Sequence, residues 1–354
     1  MDYIEIRGYK SIKEARIDFN PINILIGANG SGKTNFISFF EFLNRLYNRK
    51  LNDYIALTGG NNKILHNGIK ITDRIFFRTE FAGGQNGYSA TLTSGTEGFV
   101  FTDERLIYKG DKGADISRSD TEARIKMTDN FRAKYVIKYL NGFRKYHFHD
   151  TSNESPFTQH SNIKNDIFYL YEKGNNLAAF LYNIQQSNKI VYNRILKTIQ
   201  SIAPYFSDFF FQPNNEDYIR LQWNDRYSDT TYGVTDLSDG TIRFIALATL
   251  FMQPNLPETI IIDEPELGLH PTAISKLSGM VKSIAAKGCQ VIIATQSTDL
   301  ISYFNPEDII TVDQVNGESV FKRLDSETLV QWLEDYTIDD LWKRNIITTG
   351  QPNY

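Results

Sequence analysis

Hydrophobic and polar positions follow several rhythms along the chain. Residues 3–7 and 15–19 alternate at every second position and predict two short strands. Ile22, Ile24, Leu25 and Ile26 then form a nearly continuous apolar run, the pattern of a buried strand, which breaks at Gly27-Ala28-Asn29-Gly30-Ser31-Gly32. From Lys33 the period becomes that of a helix, with Phe36, Phe39, Phe40, Leu43 and Tyr47 on one stripe for packing against a sheet. Between residues 71 and 108 the period returns to two. Glycine turns divide that stretch into strands at 74–81, 88–93 and 99–108, an antiparallel meander.

Residues 110–130 mix Lys, Asp, Ser and Arg and read as a surface loop, followed by a helix at 131–140 and an aromatic, histidine-rich strand at 146–150. Two helices follow, one with the stripe Leu177, Phe180, Leu181 and Ile184, the other with Val191, Ile195, Ile199 and Ile202. Asn188 lies between them and Pro204 after them. Residues 218–223 alternate as a strand, and from Asp236 onward helix and strand alternate, as in an α/β sheet. No internal repeat or low-complexity tract is apparent.

Composition narrows the class. At 354 residues, 41% hydrophobic and 23% charged, the chain can bury a full core. A net charge of -4 excludes a coat of positive charge for indiscriminate nucleic-acid binding and leaves a local basic face open. A single cysteine, Cys289, excludes an internal disulfide framework and a cysteine-built zinc site, and suits a reducing compartment. The opening MDYIEIRGYKS has neither signal-peptide nor transit-peptide character, and no apolar run reaches the roughly 20 residues that span a bilayer. A soluble cytoplasmic protein with no membrane partner is expected.

Two stretches carry chemistry. Gly27 to Thr34 completes GxxxxGK[ST] between a strand and a helix, the setting in which backbone N–H groups and a helix N-terminus cradle phosphate. Gly27, Asn29, Gly30, Ser31, Gly32, Lys33, Thr34 and Asn35 are therefore the candidate nucleotide-binding residues. Lys33 is expected on the β and γ phosphates and the Thr34 hydroxyl on magnesium, with ATP and Mg²⁺ as the ligands. The second stretch is Thr259-Ile260-Ile261-Ile262-Asp263-Glu264, an apolar strand closing on two carboxylates. Asp263 is expected at the magnesium or its water shell, and Glu264 as the base for an attacking water. Upstream, Ser238 precedes a helix running to Phe251, which it is suited to cap, so that Ser238, Asp239 and Gly240 form a second anion-seeking helix end.

These motifs carry a family resemblance. LSDGT at 237–241 resembles the signature motif of the ABC ATPases, IIIIDEP their Walker B strand, Glu266-Leu267-Gly268-Leu269-His270-Pro271 their D-loop, and Ala294-Thr295-Gln296-Ser297 the strand and switch after it. Gly8-Tyr9-Lys10-Ser11 is similar to the opening of the SMC, RecF and OLD branch, which adds Lys10 and Ser11 to the nucleotide site. The chain most resembles the standalone bacterial predicted ATPases of that branch, including YHFHDTS, LSDGTIRF and DDLWKRN.

The resemblance implies a P-loop ABC-ATPase head with an antiparallel β lobe. Its catalytic residues would be Lys33, Glu264 and Gln296, an amide where the wider family has a switch histidine. No Q-loop glutamine is evident, and by position His149 and Asp150 are the stand-ins. Only 88 residues separate Asp150 from Ser238, without sustained heptads, so a short helical insertion is expected in place of a coiled coil. The expected division is an N-terminal lobe at 1–150, a helical lid at 151–208 and a C-terminal lobe at 209–354.

By the same resemblance, two copies pair head to tail with ATP between Lys33 of one and Ser238 to Gly240 of the other. Two functional classes stay open. One is an ATP-gated protein controlling a separate effector, a nuclease or toxin, as in antiviral defence. The other is an ATPase clamping or repairing DNA, for which Arg132, Lys134, Lys138, Arg144 and Lys145 form the local basic cluster; a solvated face is the simpler reading of those residues. An OLD-type enzyme with its own Toprim nuclease is disfavoured, since 57 residues follow Ser297. The C-terminal aromatics Trp332, Leu333, Tyr336 and Trp342 either pack onto the head or dock a partner.

Overall fold

The computed structural model describes residues 1–96, 98–333, 335–344 and 346–347. In chain order, β1 (Tyr3–Tyr9), β2 (Ile12–Asp18) and β3 (Ile22–Ile26) lead into α1 (Lys33–Tyr47), α2 (Leu51–Thr58) and α3 (Asn61–Ile64). The meander follows as β4 (Arg74–Phe81), β5 (Asn86–Ser94), β6 (Phe99–Tyr108) and β7 (Ala114–Ser117), then α4 (Ala133–Asn141) and β8 (Phe143–Tyr146). After β9 (Ser161–Asn162) come α5 (Leu177–Ser187) and α6 (Lys189–Gln200), and the short strands β10 (Phe206–Phe210), β11 (Tyr218–Ile219), β12 (Gln222–Asp225) and β13 (Thr231–Gly233). The chain continues through α7 (Asp239–Met252), β14 (Thr259–Asp263), α8 (Pro271–Ala285), β15 (Gln290–Thr295) and α9 (Thr298–Ile301). The hairpin β16 (Ile309–Val315) and β17 (Glu318–Arg323), α10 (Ser326–Leu333) and α11 (Ile338–Lys343) complete it.

Two compact units emerge, residues 1–143 with 292–354, and residues 144–291. This line of division differs from the three consecutive lobes expected from the sequence. The reason lies in the first unit: β16 pairs in parallel with β3, Ile309 opposite Ile24 and Thr311 opposite Ile26, so residues beyond 292 complete the sheet that carries the phosphate loop. That unit holds the strand order β17-β16-β3-β15, together with the antiparallel sheet β2-β1-β4-β5-β6-β7.

Helix α1 is buried on more of its surface than one stripe, Ile37, Phe42 and Leu46 adding to the expected residues. Each side meets a different sheet: Phe39 packs edge-on against Tyr9 of β1 and Phe77 of β4, with ring centroids 5.1 and 5.8 Å apart, and Phe36 lies 5.4 Å from Phe321 of β17. Such aromatic contacts contribute about 0.5–1.5 kcal/mol each beyond area burial. In the same unit, Trp342 on α11 is buried while Trp332 on α10 is exposed. The Leu333 side chain falls outside the described residues.

In the second unit α5 packs on α6, and α6 packs on the signature-like helix α7. Asn188 caps α6 by accepting from the Val191 amide, which explains why the helical run breaks there. The buried face of α6 is Tyr192, Ile195 and Ile199, so the expected Val191 and Ile202 sit at its margins.

Three expectations are corrected. The strand expected at 146–150 ends at Tyr146, and His147 to Asp150 are loop. Residues 218–223 divide between two strands of different sheets, β11 pairing with β9 and β12 with β10 and β13, so their alternation reflects two registers. The loop at 110–130 contains β7, which adds an edge to the meander by pairing with β6. Cys289, in the second unit, is 4% exposed, and burial pushes its thiol up to about 12. Iodoacetamide at pH 8 is therefore expected to leave the folded protein unlabelled and to alkylate one thiol per chain after unfolding, which mass spectrometry would read directly.

Candidate functional site

The first unit builds the phosphate loop. Every residue of β3 is buried, which anchors the loop on the sheet, and the chain turns through Gly27 to Gly32 before α1 starts at Lys33. Gly32, at φ 114°, adopts a backbone that side chains strain to reach, and a Cβ there would run into Ser319 Oγ of β17. It forms the N-terminal cap of α1 without any side-chain capping bond, leaving that end for an anion. Asn29, Gly30 and Thr34 are exposed, while Ser31, Gly32 and Lys33 are buried beneath them.

The donor set fits a polyphosphate. Ser31 Oγ is buried and has no hydrogen-bond partner, an orphaned donor inside the loop. Lys33 Nζ donates to the loop's own carbonyls at Gly27 (2.6 Å) and Ala28 (3.0 Å), which holds the ammonium across the turn. Lys10 and Ser11 form the turn between β1 and β2, with Lys10 in the left-handed region at φ 46°. The structure brings Ser11 to the loop, since Asn35 Nδ2 donates to Ser11 Oγ at 2.7 Å. Lys10 instead reaches along α1, donating to Ser38 Oγ at 2.8 Å.

Ser319 was not foreseen. Its Oγ lies 2.7 Å from both Ser11 Oγ and the Ser31 carbonyl oxygen, tying β17 to the loop. Its sequence signal is only a small polar residue just past the Asn316-Gly317 turn. Gln296 follows β15 half-buried, and Ser297 caps α9 by accepting from the Leu300 amide.

The second unit carries the carboxylates and the signature-like helix. β14 ends at Asp263, and Glu264 follows at φ 42°, a left-handed backbone that is unfavourable for a glutamate. His149 Nε2 donates to the Asp263 carbonyl at 2.8 Å, placing its proton on Nε2 because a carbonyl only accepts. Asp150 is turned to its own loop, where the Ser152 hydroxyl and amide hold its carboxyl below the usual range. Of the two Q-loop stand-ins, His149 is thus the one bonded to the strand end. The His147 ring lies beside it, tilted by 40° with centroids 4.1 Å apart, and burial followed by the neighbouring His149 lowers its pKa.

Ser238 Oγ accepts from the Thr241 amide at 3.3 Å, so it caps α7. Ser238 and Asp239 are exposed, as are Leu267 and Gly268 in the following loop. Among the described residues no cluster of three or more His, Cys, Asp or Glu forms a protein-only metal cage. The first unit offers a hydroxyl at Thr34 and the second a carboxylate at Asp263, each an oxygen ligand of the kind magnesium takes one or two of beside phosphate oxygens and water. The basic cluster loses members to local pairing: Arg132 meets Asp111 at 3.4 Å and lies over Tyr108, and Arg144 lies over the Tyr169 ring.

The fold and these loops define a P-loop ATPase head of ABC type, with a short helical pair where a long coiled coil would leave. An SmcHead bound to the C-winged helix domain of ScpA superposes with a TM-score of 0.57 at 15% identity, covering 93% of this chain and 99% of that one. A Smc head domain with an extended coiled coil, bound to the C-terminal domain of ScpA derived from Pyrococcus furiosus, gives 0.56 at 14% identity, covering 94% and 98%. Residues 22–302 match the family described as AAA domain, putative AbiEii toxin, Type IV TA system, and the chain belongs to it.

Together with the family match and the Smc heads, the curated relatives place the chain among ABC-, SMC- and OLD-like ATPases. The Old nuclease of Escherichia phage P2 is 34% identical over 70 residues, which is 20% of this chain and 12% of that protein. The energy-coupling factor transporter ATP-binding protein EcfA of Methanocaldococcus jannaschii is 35% identical over 78 residues, 22% and 27%. UvrABC system protein A of Staphylococcus epidermidis is 24% identical over 335 residues, 89% and 32%. The chain thus spans a third or less of the length of these relatives. Among the described residues no helix is long and apolar enough to cross a membrane.

Proposed function

We propose that the protein hydrolyses ATP, that two copies pair head to tail around it, and that the cycle controls a protein effector of nuclease or toxin type in the cytoplasm. The observation that carries the pairing is the exposure of Ser238 and Asp239 at the capped end of α7, which leaves this anion-seeking helix end open to a second molecule. The effector reading draws on the family description and on the likeness to a phage nuclease. Smc heads bound to ScpA offer a precedent for a protein partner on this fold.

In this reading Lys33, Ser31 and the loop amides hold the β and γ phosphates, and Thr34 and Asp263 would hold magnesium. Magnesium, when bound, offsets the charge on the phosphate oxygens. Glu264 takes a proton from water as the water oxygen bonds to the γ-phosphorus. The bond to the β–γ bridging oxygen breaks, releasing ADP and phosphate. Gln296 contacts the γ-phosphate as an amide that hydrogen-bonds without titrating.

Light scattering of the Glu264→Gln protein tests the pairing: doubled mass with ATP and magnesium, and monomer without, is the expected result. A monomer under both conditions overturns the pairing. Adding duplex DNA to a phosphate-release assay separates the effector reading from direct action on DNA, because only the latter predicts stimulated turnover.

A further inference from the structure

Arg243 sits on α7 one turn beyond the Ser238 cap and is only 7% exposed. Its three hydrogen bonds all end on backbone carbonyls of the second unit. Nε donates to Phe148 (3.0 Å), Nη2 to His149 (2.8 Å) and Nη1 to Leu267 (2.5 Å). Burial without a bonded carboxylate is costly, and desolvation accordingly depresses the pKa of this guanidinium. A residue needed only to fill that space would be apolar. What an arginine adds is a planar fork of donors able to grip several acceptors at once, which the single ammonium of lysine does not reproduce.

Those acceptors belong to two different loops. The first contains His149, whose ring holds the Asp263 carbonyl at the end of β14. The second contains Leu267 and Gly268. A Cβ on Gly240, in the first turn of α7, would collide with the Gly268 carbonyl, so the two backbones already touch. Arg243 therefore closes a ring that runs from the exposed helix end, through the Leu267–Gly268 loop and the His149 loop, to the strand that ends in Asp263 and Glu264.

We infer that Arg243 is a positioning residue for ATP turnover, fixing the His149 and Leu267 loops to α7 so that the carboxylate strand and the surface offered to a second subunit keep one geometry. The inference rests on the ATPase reading above. Arg243→Lys in the full chain keeps the charge and removes the fork. It is expected to melt cooperatively, to bind ATP within about twofold of wild type, and to lose about 10- to 100-fold in kcat, the scale of a misplaced catalytic constellation. Amide exchange at 147–150 and 266–269 should quicken before any nucleotide is added. His149→Ala combined with Arg243→Lys should be no slower than the worse single variant, because both loosen one loop.

A wild-type kcat in Arg243→Lys, a loss confined to ATP affinity, or fully additive losses would overturn the inference. Should Arg243→Lys fail to fold, Gly268→Ala takes its place: its Cβ would fall 2.7 Å from Arg243 Nη1 and press on the fork while leaving the charge, with added backbone strain at φ 75°. Wild-type turnover in that variant would equally overturn the inference. Absence of turnover in the wild-type protein would instead defeat the ATPase reading itself.

Discussion

Lys33→Ala is expected to abolish tight ATP binding while leaving the fold in place. The ammonium, buried under the loop, donates to the carbonyls at Gly27 and Ala28, so its removal loosens the turn of the empty protein as well. The loaded protein loses the positive charge opposite the β and γ phosphates, where a charge-assisted hydrogen bond is worth about 1.5–3 kcal/mol. Calorimetry should show affinity reduced by at least about tenfold in a protein that still melts cooperatively. Unchanged affinity would remove the loop from the binding site.

Glu264→Gln separates binding from chemistry. The amide retains the size of the carboxylate and cannot accept the water's proton, so turnover should fall roughly 10²- to 10⁴-fold, the usual worth of a general base. ATP affinity should persist, because Glu264 is not among the groups assigned to the phosphates. The left-handed backbone at φ 42° adds a second expectation, that glycine at this position stabilises the fold slightly while abolishing turnover. Phosphate release and thermal melting together check both. A wild-type rate in the glutamine variant would mean that another group activates the water.

Local chemistry made the two chemical stretches readable. A fully buried strand, a glycine turn and an amphipathic helix are each written in consecutive residues, as are β14 and the Ser238 cap. What escaped was set at long range. The pairs β10 with β12 and β11 with β9 are too short for a period to declare itself, and between Ile219 and Gln222 the chain passes from one sheet to another. Ser319 acts on a loop 288 residues earlier in the chain, and Arg243 on carbonyls 24, 94 and 95 residues away. No window of sequence contains both partners. Helix α1 also hid its second buried face, because phenylalanines on two sides of a helix blur the amphipathic signal that one sheet would produce.

The parallel pairing of β3 with β16 has a consequence for synthesis on the ribosome. The strand that launches the phosphate loop lies between β16 and β15 in its sheet, and both are translated well over 200 residues after it. During that interval a row of unmatched amides flanked by Ile24, Leu25 and Ile26 offers itself to any passing chain. Nascent protein should therefore depend on chaperones until the final hairpin is released, and fragments ending before Ile309 should aggregate in proportion to their concentration.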